Sequence, residues 1–140
     1  MKILLAADGS DYTKKALVFL LTHKSLLGDQ GELFVLNVQV QVPGRVSSLL
    51  GSVEVAAYHR EEADKVLEPI REFLNQHAFN GRYESVVGHP VEEILKAAAA
   101  QNSDLIVMGT RGHGLIGRTL MGSIAQRVVS DSDIPVLLVK

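Results

Sequence analysis

Residues 104–129, Asp104-Leu105-Ile106-Val107-Met108-Gly109-Thr110-Arg111-Gly112-His113-Gly114-Leu115-Ile116-Gly117-Arg118-Thr119-Leu120-Met121-Gly122-Ser123-Ile124-Ala125-Gln126-Arg127-Val128-Val129, decide how the rest of the chain is read. An apolar run from Leu105 to Met108 precedes five glycines (109, 112, 114, 117 and 122), and an amphipathic stretch opens at Ser123. The order is that of a buried strand, a glycine loop and a helix. A connection this long without structure of its own is uncommon inside a compact domain, and is usually a binding loop or disordered. Apolar elements bracket it closely, which favours binding. Its glycines allow positive φ and close approach of backbone to a ligand, as amides cradling an anion require.

Three phosphate-loop patterns overlap here. Gly112-His113-Gly114-Leu115-Ile116-Gly117 satisfies the dinucleotide spacing, which should open a full βαβ unit with an acidic residue at the end of the next strand. Asp131 and Asp133 come too early for that and precede the last strand. Gly112-x-x-x-x-Gly117-Arg118-Thr119 matches the P-loop except that Arg118 replaces the lysine that reaches the β- and γ-phosphates, and the two are not equivalent. The third pattern is Gly109-x-x-Gly112, nine residues, then Gly122-Ser123.

That third spacing, with Ile3-Leu4-Leu5-Ala6-Ala7-Asp8-Gly9-Ser10 at the start and Pro135-Val136-Leu137-Leu138-Val139 at the end, resembles the universal stress protein family over essentially the whole chain. The loop is similar to that of the family's ATP-binding members. The resemblance implies a single α/β domain over residues 1–140, with an open five-stranded parallel sheet in the order 3-2-1-4-5 and helices on both faces. Two positions depart from the family: Asn37, where many members carry histidine, and Ile134, where cysteine often precedes the proline.

Composition agrees with one globular domain. At 140 residues and 46% hydrophobic content the chain is large enough to bury about 68–70% of its unfolded surface. The absence of cysteine excludes disulfides and thiolate metal sites. No apolar run approaches the ~18 residues of a spanning helix, and the five apolar residues before Asp8 are too few for a signal-peptide core. A cytoplasmic location is expected. A net charge of −2 with interspersed signs gives no footprint for nucleic acid or anionic membrane.

Along the chain, residues 2–7 read as a buried parallel strand ended by the turn Asp8-Gly9-Ser10-Asp11, with Ser10 or Asp11 as cap of the first helix. Thr13, Ala16, Leu17, Leu20 and Leu21 form that helix's apolar face, and Gly28 lies beyond its end. Residues 32–38 are the second strand. Residues 39–52 carry Pro43, Gly44 and Gly51 among Val42, Val46, Leu49 and Leu50, and read as a loop with apolar anchors, packed on the domain or serving as a lid or partner surface. A helix follows over 53–77, with a kink expected where Pro69 removes a donor. Strand three (83–87), a helix opened by Pro90 with Glu92 and Glu93 at its positive end, the glycine-loop unit and strand five (135–139) complete an alternating βα pattern.

Ligands of open parallel sheets bind beyond the carboxyl ends of strands where the winding reverses, which here brings Asp8 beside the glycine loop. The amides of Gly122 and Ser123 open a helix, where unpaired donors and the dipole favour phosphate. An ordinary helix start explains Ser123 but not the glycine spacing. Asp8 reads either as a turn-former or as a group meeting a ribose hydroxyl or divalent cation. Arg111, Arg118 and His113 are candidates for offsetting phosphate charge. The resemblance implies a cofactor set of Ala6, Asp8, Val38, Met108, Gly109, Gly112, Gly122, Ser123 and Ile124, with Val38 backbone against adenine and Ala6 and Ala7 leaving space beneath it. The implied ligand is ATP, ADP or AMP, with Mg2+ accompanying the phosphates.

No catalytic residue and no protein-bound metal site are expected: the five histidines show no ligand spacing and no G-x-S-x-G elbow occurs. The expected function is that of an adenine-nucleotide-binding stress-response or regulatory module. A slow ATP-hydrolysing or phosphotransfer enzyme is the alternative, with Arg118 and Asp8 present but no positioned nucleophile. A homodimer through Pro135, Val136, Leu137, Leu138 and Val139 is expected, because an apolar edge strand invites pairing. A structural dimer that binds no nucleotide is the remaining class.

Overall fold

Strand β1 (Lys2–Ala6) lies at the centre of the sheet, and its residues Ile3, Leu4 and Leu5 are at most 1% exposed. Such burial on both faces is why its sequence is a continuous apolar run instead of an alternating one. A computed structural model of the protein describes residues 1–113 and 121–140. The described elements run β1, α1 (Asp11–Thr22), a 3-10 turn (Lys24–Leu26), β2 (Glu32–Gln39), α2 (Gly44–Leu50), α3 (Ser52–Gln76), β3 (Gly81–Val87), α4 (Pro90–Ala100), β4 (Leu105–Gly109), α5 (Ser123–Asp131) and β5 (Val136–Val139).

All four strand pairings are parallel, and the sheet order is β3-β2-β1-β4-β5. This is the expected single-domain architecture. Helices α1 and α3 cover one face, packing Ala16, Leu17, Leu20, Leu67, Ile70 and Leu74 on Ile3, Leu5, Val35 and Val107. Helices α4 and α5 cover the other, packing Val91, Ile94, Ala98, Ala125 and Val128 on Leu4, Phe34, Leu36, Ile106 and Met108. Asp104 fixes where β4 begins beside β1: its N–H donates to Lys2 O at 2.8 Å and its Oδ2 accepts from Lys2 N at 2.7 Å.

Three local expectations meet the structure, at residues 44–50, at Pro69 and at the start of α1. Residues 44–50 are helical, not loop, yet none of them is buried, and Leu49 is 87% exposed. The propensity of Val46, Ser47, Leu49 and Leu50 forms a turn or two, which packs chiefly on α3. Second, α3 is a single helix with Pro69 inside it and continues to Gln76. Third, neither Ser10 nor Asp11 caps α1 through its side chain; Ser10 stands at the N-cap position with its Oγ buried and without a partner. Asp8 instead braces the turn before the helix, as described below.

Exposure separates two leucines whose sequence settings look equally apolar. Leu5→Ala is expected to cost about 2–5 kcal/mol of stability, because Leu5 is fully buried. Leu49→Ala should fall within about 0.5 kcal/mol of wild type. Urea denaturation of the two variants measures both.

Candidate functional site

The sheet winds one way from β1 to β2 and β3 and the other way to β4 and β5, so β1 and β4 are the adjacent strands at which it reverses. Their ends are level, with Ala6 in register with Met108. Beyond them opens a cleft of about 340 Å3. Ala6, Asp8, Val38, Met108, Gly109, Gly112, Gly122, Ser123 and Ile124, dispersed over most of the sequence, all line it.

Strand β2 outruns β1. Ala7 N–H donates to Leu36 O at 2.9 Å, the last such bond before the chain turns at Asp8. In a parallel strand alternate residues direct both backbone groups to the same neighbour. Val38, two residues after Leu36, therefore aims its N–H and C=O toward the side that β1 has vacated. Asn37 is 2% exposed and braces this edge, donating from Nδ2 to Ala7 O at 2.9 Å and accepting from Gln39 Nε2 at 2.8 Å.

Asp8 carries two functions on two oxygens. Oδ1 accepts from Ser10 N–H and from Thr13 Oγ1, each at 2.9 Å, while Asp8 N–H donates to Thr13 Oγ1 at 3.1 Å. These bonds shape the turn into α1, and Gly9 between them has φ +78°. Oδ2 points toward Gly112, where an added Cβ would overlap it. The turn-forming and ligand-facing readings of Asp8 thus coexist in one side chain.

Gly109 and Gly112 are needed for space, not for left-handed backbone. Among the described residues only Gly9, Gly28 and Gly51 are glycines with positive φ, so at Gly109, Gly112 and Gly122 the freedom of φ is not used. A Cβ at Gly109 would strike Cβ of Tyr12, which marks a close crossing of α1 over the end of β4. Gly114, Gly117, Arg118 and Thr119, which completed the dinucleotide and P-loop patterns, lie outside the described residues.

The loop is pinned at both ends. His113 Nε2 donates to Asp8 O at 2.8 Å, the acceptor being a carbonyl and the proton therefore on Nε2. Gly122 N–H donates to Thr110 O at 2.7 Å, so this amide is engaged within the protein and is not the open donor that its place at a helix start suggested. The first intrahelical bond of α5 runs from Gln126 N–H to Gly122 O, which leaves the amides of Ser123, Ile124 and Ala125 as the donors without an intrahelical acceptor. Ser123 and Ile124 are exposed. The Arg111 guanidinium lies 5.8 Å from the centroid of the Tyr12 ring.

Sequence reasoning missed Thr13, whose hydroxyl braces Asp8, and Thr110, whose backbone holds Gly122. Thr110 Oγ1 is buried without a hydrogen-bond partner, a condition that costs roughly 1–3 kcal/mol. The Asp8-Gly9-Ser10 turn was a legible signal for a side-chain brace; nothing in the sequence marks Thr110 beyond its place after Gly109. A second recess of about 540 Å3 continues past Asp8 and His113 under α3, where Glu62 and Lys65 join its walls. There the 2.8 Å hydrogen bond to Glu62 raises the pKa of the Lys65 ammonium above its ordinary value. Among the described residues no group of three or more His, Asp or Glu side chains is placed to hold a metal, and no helix is long and apolar enough to cross a membrane.

Comparison with known proteins places these features in context. The family described as the Universal stress protein family matches residues 1–140. A universal stress protein of Thermus aquaticus is 36% identical over 142 residues, covering 99% of this chain and 97% of its own. The solved structure of MJ0577 from Methanocaldococcus jannaschii is similar with a TM-score of 0.85 at 32% identity, covering 99% of this chain and 94% of that one. The universal stress protein of Archaeoglobus fulgidus, solved in complex with dAMP, shares the fold at 22% identity and a TM-score of 0.70, covering 100% of this chain and 98% of its own.

The packing of Gly112 on Asp8 gives a double-mutant test. Gly112→Ala forces the carboxylate to turn, breaking the bonds from Ser10 and Thr13, and should cost about 1–3 kcal/mol of stability. Among the described residues, a Cβ there meets no atom within 4 Å outside Asp8. In an Asp8→Ala background the same substitution should therefore cost less than about 0.5 kcal/mol, a coupling that thermal denaturation of the four proteins resolves. Equal penalties in both backgrounds would contradict the geometry.

Proposed function

The chain belongs to the universal stress protein family, and we propose that its strand-exit cleft binds an adenine nucleotide, with ATP, ADP and AMP as the ligand set. The protein then acts as a stress-response or regulatory module whose conformation or partner choice follows occupancy. The observation that carries this reading is the meeting, in one cleft, of the first-turn amides of α5, which have no acceptor within their helix, with the backbone of Val38 beyond the end of β1 and the small residues Ala6 and Ala7. The first suits phosphate. The second suits the edge of a base, and the third leaves room for its face. The dAMP complex of the A. fulgidus protein supports an adenine ligand for this fold.

Magnitudes favour a site that uses both ends of the ligand. Hydrogen bonds to charged groups contribute roughly 1.5–3 kcal/mol each, while association costs an estimated 4–15 kcal/mol. Two or three amides at α5 would hold inorganic phosphate weakly. A base seated against Val38 supplies the remaining affinity and selects a nucleotide over a free anion. Asp8 Oδ2 is the one carboxylate among the described cleft residues, and Mg2+ is commonly held by one or two carboxylates together with phosphate oxygens. Asp8 would hold such an ion beside the phosphates.

The reading is of a binder and not of an enzyme with fast turnover. Asp8 Oδ1 and His113 Nε2 are committed to internal hydrogen bonds, and the oxygen that remains, Asp8 Oδ2, is the one assigned here to the cation. Any hydrolysis of ATP should stay below about one turnover per second, the low end of typical enzymes, in a phosphate-release assay.

Two further experiments test the proposal. Calorimetric titration of ATP should give saturable binding to the wild type, weakened about five- to 150-fold by Ser123→Ala through loss of a hydroxyl contact; absence of binding to the wild type would end the nucleotide reading. For assembly, β5 pairs with β4 on one side only, and all four of its apolar residues are half-buried. A two-fold pairing of β5 with its copy would satisfy both edges. Sedimentation should show a dimer at tens of micromolar that Val136→Asp with Leu138→Asp converts to monomer.

A further inference from the structure

Thr110 stands where three parts of the fold meet. Its N–H donates to Val139 O at 2.9 Å, tying the exit of β4 to the last residue of the edge strand β5. Its C=O accepts from Gly122 N–H at 2.7 Å, fixing the start of α5. Thr110 is one of the residues around the strand-exit cleft, is 7% exposed, and carries a buried hydroxyl without a hydrogen-bond partner.

Buried polar groups in folded proteins are nearly always paired, and an exception calls for a physical reason. Among the described residues of the cleft, Asp8 Oδ1 is held by Ser10 and Thr13, His113 Nε2 by Asp8 O, and the Gly122 amide by Thr110 itself. A ligand entering the cleft can supply the missing partner. At the first turn of α5 the helix dipole and the open amides select an anionic oxygen. A threonine hydroxyl can donate to such an oxygen and gains a charge-assisted bond by doing so.

We infer that the Thr110 hydroxyl is a further ligand contact, donating to a phosphate oxygen of the bound nucleotide, and that the same residue's backbone ties occupancy of the cleft to the start of α5 and the end of β5. The inference rests on the nucleotide reading above and adds to it a contact and a route. When the hydroxyl is engaged, Thr110 is held from its side chain as well as from its backbone. The bonds to Gly122 and Val139 are then held with it. Edge strand β5 thereby senses the ligand without touching it.

The test uses two substitutions that divide the side chain into its parts. Thr110→Val keeps the shape and removes the hydroxyl; Thr110→Ser keeps the hydroxyl and removes the methyl. In calorimetric titration with ATP, Thr110→Val should weaken binding about tenfold, and Thr110→Ser should stay within about twofold of wild type. A residue that only packed would give the reverse order, since serine leaves the cavity. Hydrogen exchange at saturating ATP gives the second readout: the Thr110 and Gly122 amides should be slowed by ligand in wild type and Thr110→Ser, and distinctly less in Thr110→Val. Wild-type affinity in Thr110→Val, weaker binding by Thr110→Ser than by Thr110→Val, or equal slowing of exchange in all three proteins overturns the inference while leaving nucleotide binding intact. A wild type that binds no ATP overturns the nucleotide reading, and the inference falls with it.

Discussion

The polar exits of β1 and β4 cannot be covered by the helices that follow them. From β1 the chain turns to α1 on one face of the sheet, and from β4 it leads to α5 on the other. Adjacent parallel strands whose continuations diverge in this way leave a gap at their carboxyl ends. Everything distinctive about this protein is placed with respect to that gap. The central position of β1, enforced by burial of Ile3, Leu4 and Leu5 from both sides, is what holds it open: a strand flanked by β2 and β4 cannot shift its end without dismantling two ladders.

Within that gap the protein satisfies its own polar groups almost completely. The carboxylate of Asp8 shapes a turn, the imidazole of His113 closes on the same residue's carbonyl, and the amide of Gly122 returns to Thr110. Preorganisation of this kind lowers the cost of binding, because few groups remain to be ordered when a ligand enters. What is left over is small and specific: the first-turn amides of α5, the backbone of Val38, one oxygen of Asp8 and one threonine hydroxyl.

Away from the gap the molecule is unevenly finished. The α2 segment and the first turns of α3 expose Val46, Leu49, Leu50 and Val53, and α2 packs chiefly on α3. Local propensity suffices to make the helix, but isolated helices of this length are marginal in water. The edge strands differ as well. β3 carries Arg82 and Glu84, charges that discourage pairing, whereas β5 is Val136-Leu137-Leu138-Val139 without a charge.

The sequence by itself determined the alternation of strands and helices, the two-sided burial of β1 and β4, and the importance of Asp8 and of the glycine-rich stretch, because these depend on local composition and period. The resemblance to a known family supplied the strand order, which pattern alone does not. Only the tertiary structure decided what each of these residues touches. Gly112 must be glycine because Asp8, over a hundred positions earlier in the chain, occupies the space of its missing side chain. Gly122 lost its expected freedom to Thr110. Residues 44–50 became a helix despite the flanking Pro43 and Gly51, and Thr110 acquired its position through backbone bonds to β5 and to the start of α5 that no local pattern encodes. The division follows from range: periodicity and propensity act over a few residues, while the contacts that define a cleft at a sheet's switch point join segments that meet only after the whole sheet has formed.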